Sequence, residues 1–280
     1  MSDRCLAVAA VQMVSGAVPD VNLLALEQRM AELTGQGPLD LLVLPENVLC
    51  FDAAHYAGFA AQYRHWLDCL QSLARRYRVA LVAGSMPVPV RPDGTPTDGR
   101  YRSACFAISA EGELRARYDK IHLFDAEVGD TQGQYRESDS FEPGDSAVVV
   151  DLAGLRVGLS ICYDLRFPAL YQRLREDGAD LIVVPAAFTE VTGTAHWEVL
   201  LRARAIETQC YLIAADQGGQ HNPQRRTWGH SMIVSPWGEV LASLAQGPGA
   251  VRAEIDLARQ REIRRRLPVF EHRRPIRRDI

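Results

Sequence analysis

The chain has 280 residues, 47% of them hydrophobic and 24% charged, with a formal net charge of −4. These values fit a soluble globular chain with a large core. They argue against a membrane protein, since no run approaches the roughly 18 apolar residues a span requires, and an acidic balance gives no overall pull toward nucleic acid.

The opening MSDRCLAVAAVQM sets Arg4 before an apolar run, as a secretory signal does. The run is short, alternates like a strand and reaches Gln12 without a clear cleavage site, so it reads as a first strand. Then VNLLALEQRMAEL reads as a helix, LDLLVLP as a strand delivering Glu46, and HYAGFAAQYRHWLDCLQSLARRY as a long helical stretch. VALVAGSM and RSACFAIS read as strands, and RYDKIHLF places Lys120 just after another. Residues 125–146 form the longest polar loop, of a size that is often functional.

SAVVVDLAGLRVGLSICY reads as strand, turn and strand, and PALYQRLRED as a helix beginning at Pro168, which suits a first helical turn. ADLIVVPAAF, the helical AHWEVLLRARAIETQ, CYLIAADQ, GHSMIVSPWGEVLAS and AVRAEI complete an alternation of strand and helix. That alternation argues for α/β architecture, while direct strand-to-strand turns exclude a purely parallel sheet. No linker or repeat divides residues 1–280, so one domain is expected. The tail at about 257–280 is rich in arginine. Acids and apolar residues interrupt it, and Leu267, Val269 and Phe270 suit docking on the domain or a second subunit better than nucleic acid.

Six cysteines (Cys5, Cys50, Cys69, Cys105, Cys162 and Cys210) show no C-x-x-C pair or disulfide framework, so reduced thiols in a cytoplasm are expected. Of 31 basic residues only one, Lys120, is lysine. A compact ammonium kept where every other cation is a guanidinium marks a candidate.

Cys162 lies between an apolar strand and a helix, where helix N-terminal amides would favour its thiolate; the plain alternative is a buried core cysteine. Glu46 is either a satisfied structural acid or a base. An acid, a base and a thiol suffice to hydrolyse an amide through a thioester, without a metal or other cofactor. The rival is a Cys-His hydrolase, but none of the seven histidines stands out as its base.

Taken together, LPENVL with Glu46, YDKIHLF with Lys120 and GLSICYDLRFP with Cys162 resemble the Glu-Lys-Cys motifs of the nitrilase (carbon-nitrogen hydrolase) superfamily. The resemblance runs from AVQM to LPVFEHRRP, nearly the whole chain. It implies an α-β-β-α sandwich that pairs through its helices into a homodimer. It also implies that Glu46 is the general base, Lys120 stabilises the tetrahedral intermediate, Cys162 is the nucleophile and the Tyr163 amide completes the oxyanion hole. YRESDSF matches the motif of a second glutamate at Glu137.

Within the superfamily, TGTAHWEVLLRARAIETQCYLIAADQGGQH and WGHSMIVSPWGEVLA look most like the deaminated glutathione amidases. Those release 2-oxoglutarate and cysteinylglycine, and the neighbouring ω-amidases act on α-ketoglutaramate. Both substrates are anionic, so Arg166, Thr189, Thr192, His196, Trp197 and Arg225 are candidates for binding them. For Arg166 the structural alternative is a salt bridge to Asp164 or a neighbouring acid that braces the turn, and for Trp197 it is packing. A non-catalytic binding protein on the same fold is the alternative from another class.

Overall fold

The computed structural model describes residues 5–130 and 132–274. The chain opens with β1 (Leu6–Gln12), α1 (Pro19–Gly35), β2 (Leu41–Val43), α2 (Tyr56–Ala61) and α3 (Tyr63–Tyr77). It continues through β3 (Ala80–Val82), β4 (Met86–Val88), β5 (Arg102–Ile108), β6 (Leu114–Asp119), β7 (Asp125–Glu127) and β8 (Gln134–Arg136). Next come β9 (Val148–Leu152), β10 (Leu155–Leu159), α4 (Pro168–Glu176), β11 (Leu181–Ala186) and α5 (Glu190–Thr208). The last elements are β12 (Tyr211–Asp216), β13 (Met232–Val234), β14 (Val240–Ser243), β15 (Gly249–Ile255) and α6 (Leu257–Arg266).

One sheet has the order β15-β1-β2-β3-β5-β4, with β6 also paired to β5; the other runs β14-β13-β12-β11-β10-β9. β1, β2 and β3 are parallel neighbours, as are β10, β11 and β12, and antiparallel strands extend both sets. Successive strand residues face opposite sides of a sheet. On β1, Val8 and Ala10 join the core that contains the second sheet with α4 and α5, whereas Ala9 and Val11 join the core packed under α1 and α3. The result is the expected α-β-β-α sandwich.

Several boundaries differ from those expected. The stretch 55–77 is two helices, broken at Gln62, whose backbone lies at φ −114° and ψ 15°. VALVAGSM bends into two short strands around Gly84 at φ 60°. The polar loop 125–146 contains the hairpin β7–β8. α5 begins at Glu190 rather than Ala195, because the Thr189 hydroxyl accepts the Thr192 N–H and caps its first turn.

The arginine-rich tail forms α6, capped by Asp256 and held on the domain itself. There Gln260 Nε2 donates to the carbonyls of Asp180 and Gln209, and Arg264 pairs with Asp180 at 3.1 Å. Of the three residues expected to dock, Leu267 and Val269 are exposed, whereas Phe270 lies under the Arg175 guanidinium of α4 at 4.7 Å. Among the described residues no helix is long and apolar enough to cross a membrane.

Candidate active site

Three chain segments leave their strands toward one cavity. Glu46 lies just past β2, Lys120 directly past β6 and Cys162 just past β10. Their side chains, with that of Glu137, line a cavity of about 300 Å³. Strand ends are where an α/β sheet opens its ligand crevice, because the chain must turn there and neighbouring connections diverge.

Each position is fixed by local structure. Glu46 lies in a turn against which Gly84 packs so closely that a Cβ at Gly84 would fall 2.0 Å from the Pro45 carbonyl oxygen. Only glycine fits there, and its positive φ agrees. The next residue, Asn47, is itself left-handed at φ 53°, with its N–H donating to Ser85 Oγ. Gln217, past β12, donates from Nε2 to the Glu46 carbonyl at 3.0 Å. Lys120 is held through its backbone, its N–H donating to Ser103 and its carbonyl accepting from Gly144.

Cys162 opens a 3-10 turn over Cys162–Arg166 and takes φ 46°, a left-handed conformation uncommon for a residue with a Cβ. Asp164, fully buried, holds that turn. Its Oδ2 accepts from the Ile161 N–H at 2.9 Å and the Tyr118 hydroxyl at 2.7 Å; its Oδ1 accepts from the His122 N–H at 3.1 Å and lies 2.7 Å from His122 Nδ1. Tyr118 and His122 flank Lys120, so one carboxylate ties the lysine segment to the cysteine turn.

Inside the cavity Lys120 Nζ lies 2.8 Å from Glu46 Oε1 and 2.9 Å from both Glu137 oxygens. The Phe124 N–H donates to Glu137 Oε2 at 2.6 Å, fixing that carboxyl. Burial alone would discharge the ammonium, but Glu137 and Glu46 together outweigh it and raise the Lys120 pKa well above the ordinary value. The two carboxyls therefore favour the charged form of Lys120. Burial raises the Glu137 pKa, with Lys120 opposing and Glu46 reinforcing.

Burial, followed by the charge of Glu46, holds the Cys162 thiol well above its usual range, against the pull of Lys120 and the Ala187 amide. The thiolate expected from helix N-terminal amides is thus corrected. α4 does not begin until Pro168, and desolvation dominates at Cys162.

Of the other expected residues, Tyr163, Arg166, Thr189, Thr192, His196 and Trp197 lie outside the cavity lining. Arg166 does not pair with Asp164. Its guanidinium lies over the rings of Tyr163 and Phe188, and Nη1 is 3.0 Å from His196 Nδ1. Thr189 is the cap of α5 and bonds Thr192, while Trp197 is buried and donates from Nε1 to the His230 carbonyl. Tyr163 meets Phe124 and Phe167 edge-on. Of the anion-binding candidates only Arg225 lines the cavity, joined by Phe51, Tyr135 and Arg136, which sequence reasoning missed. Arg136 and Tyr135 immediately precede Glu137, so that motif could have pointed to them. Among the described residues no His, Cys, Asp or Glu side chains converge as a metal-binding set.

The carbon-nitrogen hydrolase family pattern matches residues 7–265. The deaminated glutathione amidase of Yersinia enterocolitica is 44% identical over 272 residues, covering 95% of this chain and 92% of that protein. The crystal structure of the Caenorhabditis elegans NitFhit protein superposes with a TM-score of 0.88 at 37% identity, covering 98% of this chain. This chain spans only 66% of that one. A variant of the amidase from Nesterenkonia sp. AN1, with the acetamide moiety of fluoroacetamide added covalently at its active site cysteine, gives a TM-score of 0.78 at 25% identity, over 97% of this chain and 98% of that one. The chain belongs to the carbon-nitrogen hydrolase family and is an amidase of the nitrilase superfamily.

Proposed function

We propose that the protein hydrolyses deaminated glutathione to 2-oxoglutarate and cysteinylglycine through a thioester on Cys162. The observation that carries this reading is the single ammonium of Lys120 set between the carboxyls of Glu46 and Glu137 in the cavity that Cys162 lines. The name of the Yersinia relative supports the substrate, and the covalent adduct in the Nesterenkonia amidase supports cysteine as nucleophile.

Glu46 accepts the Cys162 proton as sulfur attacks the amide carbon. Charge moves onto the carbonyl oxygen, where Lys120 and the Tyr163 N–H stabilise it. Glu46 then protonates the leaving nitrogen, the C–N bond breaks and cysteinylglycine departs. Water, losing a proton to Glu46, attacks the thioester; the C–S bond breaks, 2-oxoglutarate leaves and the proton returns to sulfur. Glu137 holds Lys120 in place throughout.

The reaction belongs in the cytoplasm on this reading, which the six free cysteines support. Val199 and Ile206 of α5 are exposed, as is Trp237 in the turn whose Gly238 meets Ile206, and these apolar side chains suit a second copy of the chain. Trp237→Arg should shift sedimentation from dimer to monomer; a wild-type monomer would refute the pairing.

The test is 2-oxoglutarate release from deaminated glutathione and, separately, from α-ketoglutaramate, with Cys162→Ala as blank. Faster release from deaminated glutathione supports the proposal. Preference for α-ketoglutaramate would instead make the protein an ω-amidase with the same chemistry.

A further inference from the structure

Among the described residues three cations line the cavity, Lys120, Arg136 and Arg225. Lys120 is already engaged by Glu46 and Glu137. The outer end differs, because Arg225 lines it. Its guanidinium lies 5.2 Å from the Phe51 ring centre and 4.7 Å from that of Tyr135, so two aromatic faces orient it. Nη1 donates to a neutral amide oxygen, Gln132 Oε1 at 3.3 Å, and the Tyr135 hydroxyl is a second neutral partner of the guanidinium. Nε is buried and has no hydrogen-bond partner among the described residues.

No carboxylate lies within ion-pair distance of Arg225 among the described residues, whereas Arg91, Arg204 and Arg264 each face an acid. A half-buried, oriented guanidinium at a cavity, with no acid partner among the described residues, is a ready fork for a carboxylate.

The loop bearing Arg225 is anchored to present it. Asn222 Oδ1 accepts the N–H groups of Gln224 and Arg225, and the Arg225 carbonyl accepts the His221 N–H. His221 is pinned in turn, with Nδ1 2.8 Å from the Ser15 carbonyl and Nε2 2.7 Å from Thr227 Oγ1. The arginine therefore pays little ordering entropy when it binds an anion.

The chemistry fixes which part of the substrate reaches it. The amine must leave while the acyl group stays on the buried sulfur, so the amine side faces the opening. There Arg225 stands with the exposed Gln132 and Asn222. We propose that Arg225 recognises a carboxylate on the leaving-amine side of the scissile bond, and so selects peptide-like amides over primary amides. This rests on the amidase reading above.

The test compares kcat/KM for deaminated glutathione, for its analogue with the terminal carboxylate converted to a carboxamide, and for α-ketoglutaramate. The wild type should prefer the free acid over the carboxamide by about tenfold to a hundredfold, the range expected of a charge-assisted pair. Arg225→Gln should erase that preference, mainly through KM, and lose more on deaminated glutathione than on α-ketoglutaramate. Arg225→Lys, which keeps the charge and most of the stem, should fall between, and it carries the test if the glutamine variant fails to fold. A preserved preference, or an equal loss on all three substrates, would overturn the assignment. If the wild type cleaves none of the three, the substrate reading fails and this inference with it.

Discussion

The Tyr118 hydroxyl donates to Asp164 Oδ2 at 2.7 Å, and this one bond joins the strand that delivers Lys120 to the turn that presents Cys162. Both groups are buried, so the carboxylate has no water to fall back on. Asp164→Ala would strand the donors of Tyr118, His122 and Ile161 and should cost about 3 kcal/mol or more, read from urea unfolding. Asp164→Asn should fold better yet lose activity, since an amide cannot accept from every donor. Wild-type turnover by the asparagine variant would show that the tie does not govern the site.

Lys120→Arg keeps the charge and replaces a compact ammonium with a planar fork. The space between Glu46 and Glu137 is set by contacts of 2.8 and 2.9 Å to a single nitrogen. We expect kcat to fall by about 100-fold or more, the scale seen when an oxyanion donor is displaced, with secondary structure unchanged by circular dichroism. Near-normal turnover would mean that the position needs only a cation.

The raised pKa of Cys162 makes a prediction about pH. The folded chain keeps a proton that an unfolded thiol gives up near about pH 8.5. Its contribution to stability is therefore whole below that pH and is lost as pH rises toward the folded value. Cys105, Tyr56, Tyr118 and Tyr171, all raised by burial, act in the same direction. The urea midpoint should decline in alkali, and less steeply in Cys162→Ala. Alkylation of Cys162 by iodoacetamide should accelerate with pH and show no plateau on the acid side; such a plateau would reveal a resting thiolate.

Gly84→Ala tests how the Glu46 turn is set. The added methyl would collide with the Pro45 carbonyl, and the residue would also have to keep a left-handed backbone. A loss of about 2 kcal/mol or more is expected, with kcat reduced because Glu46 moves with Pro45. Retention of both stability and rate would mean that the turn adapts without disturbing the acid.

Lys120 stands out in the chain itself as a lone lysine, whereas Glu46 and Cys162 were candidates with structural alternatives and Glu137 was marked only by the resemblance of YRESDSF to a family motif. Their supports were not legible. Asp164 meets a tyrosine 46 positions away and Gln217 a carbonyl 171 positions away, and no local periodicity encodes such pairings. The anion-binding candidates fared unevenly for the same reason. Arg166 and Arg225 look alike in sequence, yet one lies over two rings outside the cavity and the other stands at its edge. The long helical stretch failed at Gln62 because apolar spacing continues through a break that only backbone angles show.

The Gln217–Glu46 bond also bears on the order of events during folding. It links a residue past β12 of one sheet to one past β2 of the other, so no short fragment can assemble the site. Contacts this distant in sequence close late, after most of the chain has condensed. A nascent or partly unfolded chain would thus carry an ordinary thiol without its base and cation, unable to complete the hydrolysis of an amide. In refolding, activity should return only with the final phase of tryptophan fluorescence, never ahead of it.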